Sequence, residues 1–144
     1  MVDYREPEKT IDYNISESDR FRLDDFELYN LAREFRQKVY VIINQLPPKE
    51  RYVLESQMRD AIVSVTNNIA EAHGRWHFKE SIQFCRIARG STGEIIDDLN
   101  ICIDENYYDV NECETIKQNG FEVIRKTNGY IVYLNNQITK FSNK

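Results

Sequence analysis

Leu28-Tyr29-Asn30-Leu31-Ala32-Arg33-Glu34-Phe35-Arg36-Gln37-Lys38-Val39-Tyr40-Val41-Ile42-Ile43-Asn44-Gln45-Leu46-Pro47-Pro48 decides the fold. Leu28, Leu31, Ala32, Phe35, Val39, Ile42, Ile43 and Leu46 recur at intervals of three and four, which places them on one stripe of a helix. Asp24, Asp25 and Glu27 precede that stripe and offset the positive end of a helix dipole. Pro47-Pro48 follows it, and a proline disfavours helical geometry in the residue before it. The spacing therefore predicts a first helix over about Asp24–Leu46 and a sharp reversal after it.

The same pattern repeats three times downstream. A second helix is expected from Pro48 or Lys49, with Leu54, Met58, Ala61, Ile62, Val65, Ile69 and Ala72 inward and Gly74 as its stop. A third is expected over Phe78–Glu105, with Ser81, Phe84, Cys85, Ala88, Thr92, Ile95, Leu99, Cys102 and Ile103 inward. Gly90 and Gly93 lie inside it, facing a close neighbour or solvent. A fourth is expected from Asn111, capped by Asn111 with Glu114, and buried along Ile116, Ile124, Ile131, Leu134 and Ile138. Phe121 and Val132 flank that seam on one side, and Val123, Tyr130 and Phe141 on the other. This arc is wider than one bundle core requires, so the surplus points to a protein–protein surface.

Composition agrees with four helices in one domain. The chain has 144 residues, 41% hydrophobic, with only five Gly and three Pro, too few breakers for a many-turned β fold. Long helices on short links predict an all-α, antiparallel up-down-up-down four-helix bundle over 24–144. The polar stretch 1–23 lacks helical periodicity and reads as an arm. No apolar run approaches the length of a membrane span and no signal-like segment opens the sequence. Cys85, Cys102 and Cys113 are odd in number and lack a CxxC spacing, so buried thiols in a reducing cytoplasm are expected.

A net charge of −5 gives no general attraction to nucleic acid or anionic membranes. The charge is unevenly placed: +2 over 77–93, −8 over 94–114 and +4 from Thr115 onward. The basic last helix is expected to neutralise the acidic end of the third. Arg75, Trp76, Lys79, Arg86 and Arg89 form a candidate nucleic-acid patch, with Trp76 able to stack a base; a solvated face is the plainer reading.

The candidate site lies between the second and third helices. Gln57, Ser64, Asn68 and Glu71 make one polar stripe, and Ser91 and Glu94 face it from the third helix. Ser64 is expected near Ser91, and Gln57 near Glu94, with Ala61, Ala88 and Gly90 small enough for close approach. The stripe reads as an interhelical polar network that fixes register, with a polar cleft as the alternative. Glu71 and Glu94 would lie several turns apart, so no acid–base pair, and no enzyme, is expected. His73 and His77 stand four apart, but Gly74 is expected to break the helix between them. They read as exposed loop histidines, with no metal and no cofactor. No phosphate-binding glycine loop is present.

Three segments together resemble a known family. Pro47-Pro48-Lys49-Glu50-Arg51-Tyr52-x-Leu54-x-x-Gln57-Met58-Arg59 is similar to the P-x-x-E-x-Y-x-L-x-x-Q-x-R turn and helix of proteins encoded in intervening sequences of bacterial 23S ribosomal RNA genes. Ser64 to Arg75 resembles that family's S-x-x-x-N-I-A-E-G-x-G-R signature, with Ala72 where Gly is usual. Phe84 to Leu99, with Gly90-Ser91 and Glu94, resembles its F-x-x-x-A-x-G-S-x-x-E-x-x-x-x-L segment. The resemblance covers residues 24–141. It implies an up-down bundle assembled as a homopentamer, with no known enzymatic activity. A related branch, the accessory proteins of diversity-generating retroelements, forms similar pentamers that bind a reverse transcriptase and its RNA. Those relatives are strongly basic, whereas this chain is acidic.

The expected function is therefore that of a non-enzymatic, self-associating scaffold in the bacterial cytoplasm, with itself as partner and no membrane. The alternative is an RNA-binding or reverse-transcriptase accessory module. Tyr29, Arg36 and Tyr40 on the first helix, with Phe121, Tyr130 and Val132 on the fourth, are the candidate oligomer surface, since aromatic and Arg residues suit interface anchors.

Overall fold

A computed structural model describes residues 22–75 and 77–142. Trp76 and nearly all of the proposed arm lie outside the described residues. Four helices carry the fold: α1 (Glu27–Ile43), α2 (Leu54–Gly74), α3 (Phe78–Asp104) and α4 (Val110–Ser142), and no strand occurs among the described residues. Short 3-10 turns at Leu23–Asp25 and Pro48–Glu50 precede α1 and α2. Successive helices pack together and α1 also packs on α4, so the four close a cycle around one core.

The inward stripes of α1 to α3 are largely those expected. Phe35, Val39, Ile42, Met58, Ile62, Val65, Ile69, Ile95 and Leu99 have essentially no solvent exposure. Cys85, Cys102 and Cys113 are buried free thiols. The ends of the helices differ by a turn. Asp24 and Asp25 belong to the 3-10 turn, and α1 starts at Glu27. It ends at Ile43, after which Gln45 and Leu46 donate to Ile42 and Ile43 in tighter i to i−3 bonds. The Pro48 turn is separated from α2 by Val53, whose φ of −120° and ψ of −90° are not helical.

The start of α4 corrects the expected cap. Asp109, not Asn111, accepts the backbone N–H of Glu112 on Oδ1 at 2.9 Å. Its carboxylate thus satisfies one of the helix's orphan donors and faces the positive dipole end. Asp109→Ala is expected to cost about 1 kcal/mol in urea unfolding, while Asn111→Ala changes stability by less than about 0.5 kcal/mol. Before Asp109, α3 stops at Asn106, whose φ is 58°. Asn106 N–H reaches Ile103 O at 3.2 Å and Tyr107 N–H reaches Cys102 O at 2.9 Å, the paired bonds of a left-handed helix stop.

The seam of α4 is also rotated from the expected one. The buried residues are Cys113, Ile116, Gly120, Val123, Thr127, Tyr130, Ile131, Leu134 and Gln137. Apart from Ile131 they follow alternating steps of three and four, and the small or polar ones hid the pattern in the sequence. Gly120 has a specific reason to be there. A Cβ on it would lie 3.0 Å from Ile96 Cγ1 and 3.1 Å from Phe35 Cζ, so its absence lets α4 approach both neighbours closely. Thr127 tucks its hydroxyl onto Val123 O at 2.7 Å and is buried without an unpaired donor. Gly90 and Gly93, by contrast, are exposed with open space around them, so Gly90 does not bring α2 and α3 together.

Two clusters pin the ends of the bundle. At one, Tyr107 donates its hydroxyl to Glu50 Oε2 at 3.0 Å, tying the α3–α4 link to the Pro48 turn. At the other, the Phe26 ring stacks on His73 at 4.5 Å and meets Tyr130 edge-on at 5.0 Å. Ser81 donates to Ala72 O at 2.8 Å there, binding the first turn of α3 to the last of α2.

Candidate functional site

The polar groups predicted between α2 and α3 do meet. Ser64 Oγ and Ser91 Oγ are 2.8 Å apart. Asn68 Nδ2 donates to both Ser64 O (2.8 Å) and Ser64 Oγ (2.9 Å), which fixes the hydroxyl pair from the α2 side. Gln57, Ala61, Ser64, Ser91 and Glu94 then line one cleft of about 610 Å³. Glu71 does not take part. It lies beyond the cleft and holds Arg75 at 2.6 Å, four residues away on the same helical face.

Three lining residues were not anticipated: Asp60, Asp97 and Asp98. The signal was present, since Asp60 stands four before Ser64, and Asp98 stands four after Glu94 and seven after Ser91. The charge pattern alone points instead to α4 as the partner of the acidic run. In the structure Lys117 and Arg125 of α4 pair with Glu114 and Glu122 of their own helix. Among the described residues none forms an ion pair or hydrogen bond with Asp60, Glu94, Asp97 or Asp98. Asp98 is 7% exposed. Burial, and then the neighbouring charges of Asp97 and Glu94, push its carboxyl up to about 6.

The histidines are not the loop pair expected. His73 is half-buried in the last turn of α2 under Phe26. His77 is exposed and caps α3, its Nδ1 accepting from Glu80 N at 3.4 Å. Among the described residues no three His, Cys, Asp or Glu side chains come together as a metal site.

The basic patch is dispersed. Arg75 is paired with Glu71 and Glu80 and lies over the Phe84 ring at 5.3 Å. Arg89 turns toward α4 and donates to Asn128 at 2.7 Å. Lys79 and Arg86 are exposed seven residues apart on α3, and Trp76 lies outside the described residues.

The oligomer candidates divide. Tyr130 is 8% exposed, so it is core and not surface. Val123 is buried and the half-buried Phe141 stacks on Phe78 at 5.8 Å, so that flank packs largely within one subunit. Arg36 is turned inward, donating to Thr66 Oγ1 at 2.8 Å. Tyr40 lies under the Arg59 guanidinium at 5.6 Å, and Tyr29 is half-buried against the core. Phe121 and Val132 remain outside, 47% and 58% exposed. Val110 shares their stripe, each eleven residues from the next, a step that returns to within about 20° on a helix.

No helix among the described residues is long and apolar enough to cross a membrane. Comparison with known proteins bears on the fold. A crystal structure of a protein of unknown function from the S23 ribosomal protein family of Bacteroides thetaiotaomicron superposes with a TM-score of 0.67 at 20% identity. The match covers 72% of this chain and 97% of that one. No curated protein matches. Residues 24–129 match the family described as 23S rRNA-intervening sequence protein, and that span holds both the α2–α3 cleft and the signature segments on either side of it. The four helices and these segments agree, and the chain belongs to the 23S rRNA-intervening sequence protein family.

Proposed function

We propose that this protein is a non-enzymatic scaffold of the bacterial cytoplasm that works by assembling with copies of itself. Its helices run up-down-up-down, successive ones antiparallel, as links of three to ten residues favour. The observation that carries the reading is the outward stripe of α4. Phe121 and Val132 project from a helix whose opposite face is already fully packed, so the apolar area there is not a remnant of the core. A second apolar feature lies elsewhere on the subunit: a groove of about 340 Å³ between α1 and α4, walled by Val41, Tyr108 and Ile116. Pairing of unlike patches, a ridge on one copy against a groove on the next, generates a ring when the rotation between copies closes. The five-membered ring implied by the sequence resemblance is one such closure.

Light-scattering mass at micromolar concentration tests this. The wild type is expected at several times the 17.1 kDa subunit, near fivefold for a pentamer. Phe121→Ser with Val132→Ser is expected to return it to the subunit mass with unchanged helicity. A wild type that runs as a monomer overturns the proposal.

A further inference from the structure

We propose that the cleft between α2 and α3 is a binding site for an organic cation, a guanidinium or primary ammonium carried on a slender stem. Four carboxylates line it, Asp60 from α2 and Glu94, Asp97 and Asp98 from α3, and no cation is among the lining residues. An acidic surface alone would be unremarked. Asp98 is different, because its side chain is more than nine-tenths buried, opens into the cleft, and has no donor or counter-ion among the described residues. Buried charges are normally paired, since a lone one forfeits its hydration without return. An arriving cation supplies the missing partner.

The shape and chemistry of the walls narrow the ligand. A volume of about 610 Å³ is far larger than a bare ion needs. Among the described residues the carboxylates do not converge as a metal cage. Between them stand acceptors suited to N–H donors, the Gln57 amide oxygen and the Ser64–Ser91 hydroxyl pair, with the Ala61 methyl as an apolar wall for a stem. A guanidinium or ammonium has three to five donors to distribute over such a set, and no acceptor to be left unmet. Asp97 and Glu94 act on Asp98 with the same sign, and Asp60 adds a further negative charge to the cleft from α2. Binding should therefore weaken as pH falls through about 6, where Asp98 takes up a proton.

The proposal is independent of self-association, and two sources share its chemistry: a free polyamine, or an Arg or Lys side chain presented by a protein segment. Calorimetric titration of the full chain at low salt and pH 7.5 distinguishes them. The probes are spermidine, a capped Gly-Arg-Gly peptide and magnesium chloride. Saturable binding of spermidine or of the peptide, one per subunit, supports the proposal and names the source. Asp98→Asn should weaken it at least tenfold. Asp104→Asn, which removes the same charge from an exposed site outside the cleft, should leave it within twofold. No binding of either organic cation at millimolar concentration overturns the proposal. So does equal binding by Asp98→Asn, or magnesium binding tighter than both organic probes.

Discussion

Phe35→Ala is expected to destabilise the subunit by about 3–5 kcal/mol, the range for deleting a fully buried aromatic ring. Phe35 is 1% exposed and is the largest of the fully buried side chains. Its ring tip is one of the atoms that Gly120 makes room for, so it fills the point where α1 meets α4. A domain's whole stability is typically about 5–15 kcal/mol, so the variant should sit near the edge of folding. Urea unfolding is the measurement, and the midpoint should fall with little change in slope. Tyr52→Ala, at an exposed aromatic, is the control and should stay within about 0.5 kcal/mol. A loss below about 1 kcal/mol at Phe35 would mean that the described core is not the real one.

Asp98→Asn is expected to act in the opposite direction and to stabilise the subunit by about 3 kcal/mol at pH 7.5 without added ligand. The Asp98 carboxyl titrates near 6 in the folded chain, against 3.8 for an unhindered aspartate. The folded state therefore binds the proton more tightly than the unfolded state. Below pH about 4 both states are protonated and the buried carboxyl costs little. As pH rises from about 4 to 6 the unfolded state ionises first, stability falls, and the loss then stays constant. Asn keeps the shape and removes the charge, so its advantage should be absent at pH 3.5 and complete by pH 7. Thermal unfolding of both proteins across that range reads the difference. An equal or lower midpoint for Asp98→Asn at pH 7.5 would show that the carboxylate is compensated.

Where the sequence could be read and where it could not follow from the physics of each helix. In α1 and α2 the inward residues are nearly all aliphatic or aromatic, so periodicity alone placed Leu28, Phe35, Met58 and Val65 in the core. In α4 the inward line includes Gly120, which allows close approach, Thr127, which bonds its own helix, and the polar Gln137, so a hydropathy pattern rotates away from it. That rotation explains why Tyr130 reads as surface from sequence and is found as core. The Ser64–Ser91 meeting was legible because two helices joined by a link of three residues have little freedom in register. Asp98 was not, because an aspartate in an acidic run looks solvated until the opposing helix is in place. Asp109 and Asn106 fall at a helix boundary, where several polar residues in succession all have capping chemistry and only the backbone decides among them.

The central claim is that the outward stripe of α4 is covered by another copy. A single new cysteine tests it directly, because the native thiols are buried and those of Cys85 and Cys102 are pushed up to about 12, leaving them slow to react. Val132→Cys would report on the stripe, and Ser56→Cys, at an exposed position on α2, would report on a free surface. With a thiol-specific reagent at tens of micromolar protein, position 132 is predicted to label at least tenfold more slowly than position 56. Equal rates at the two positions would contradict the account.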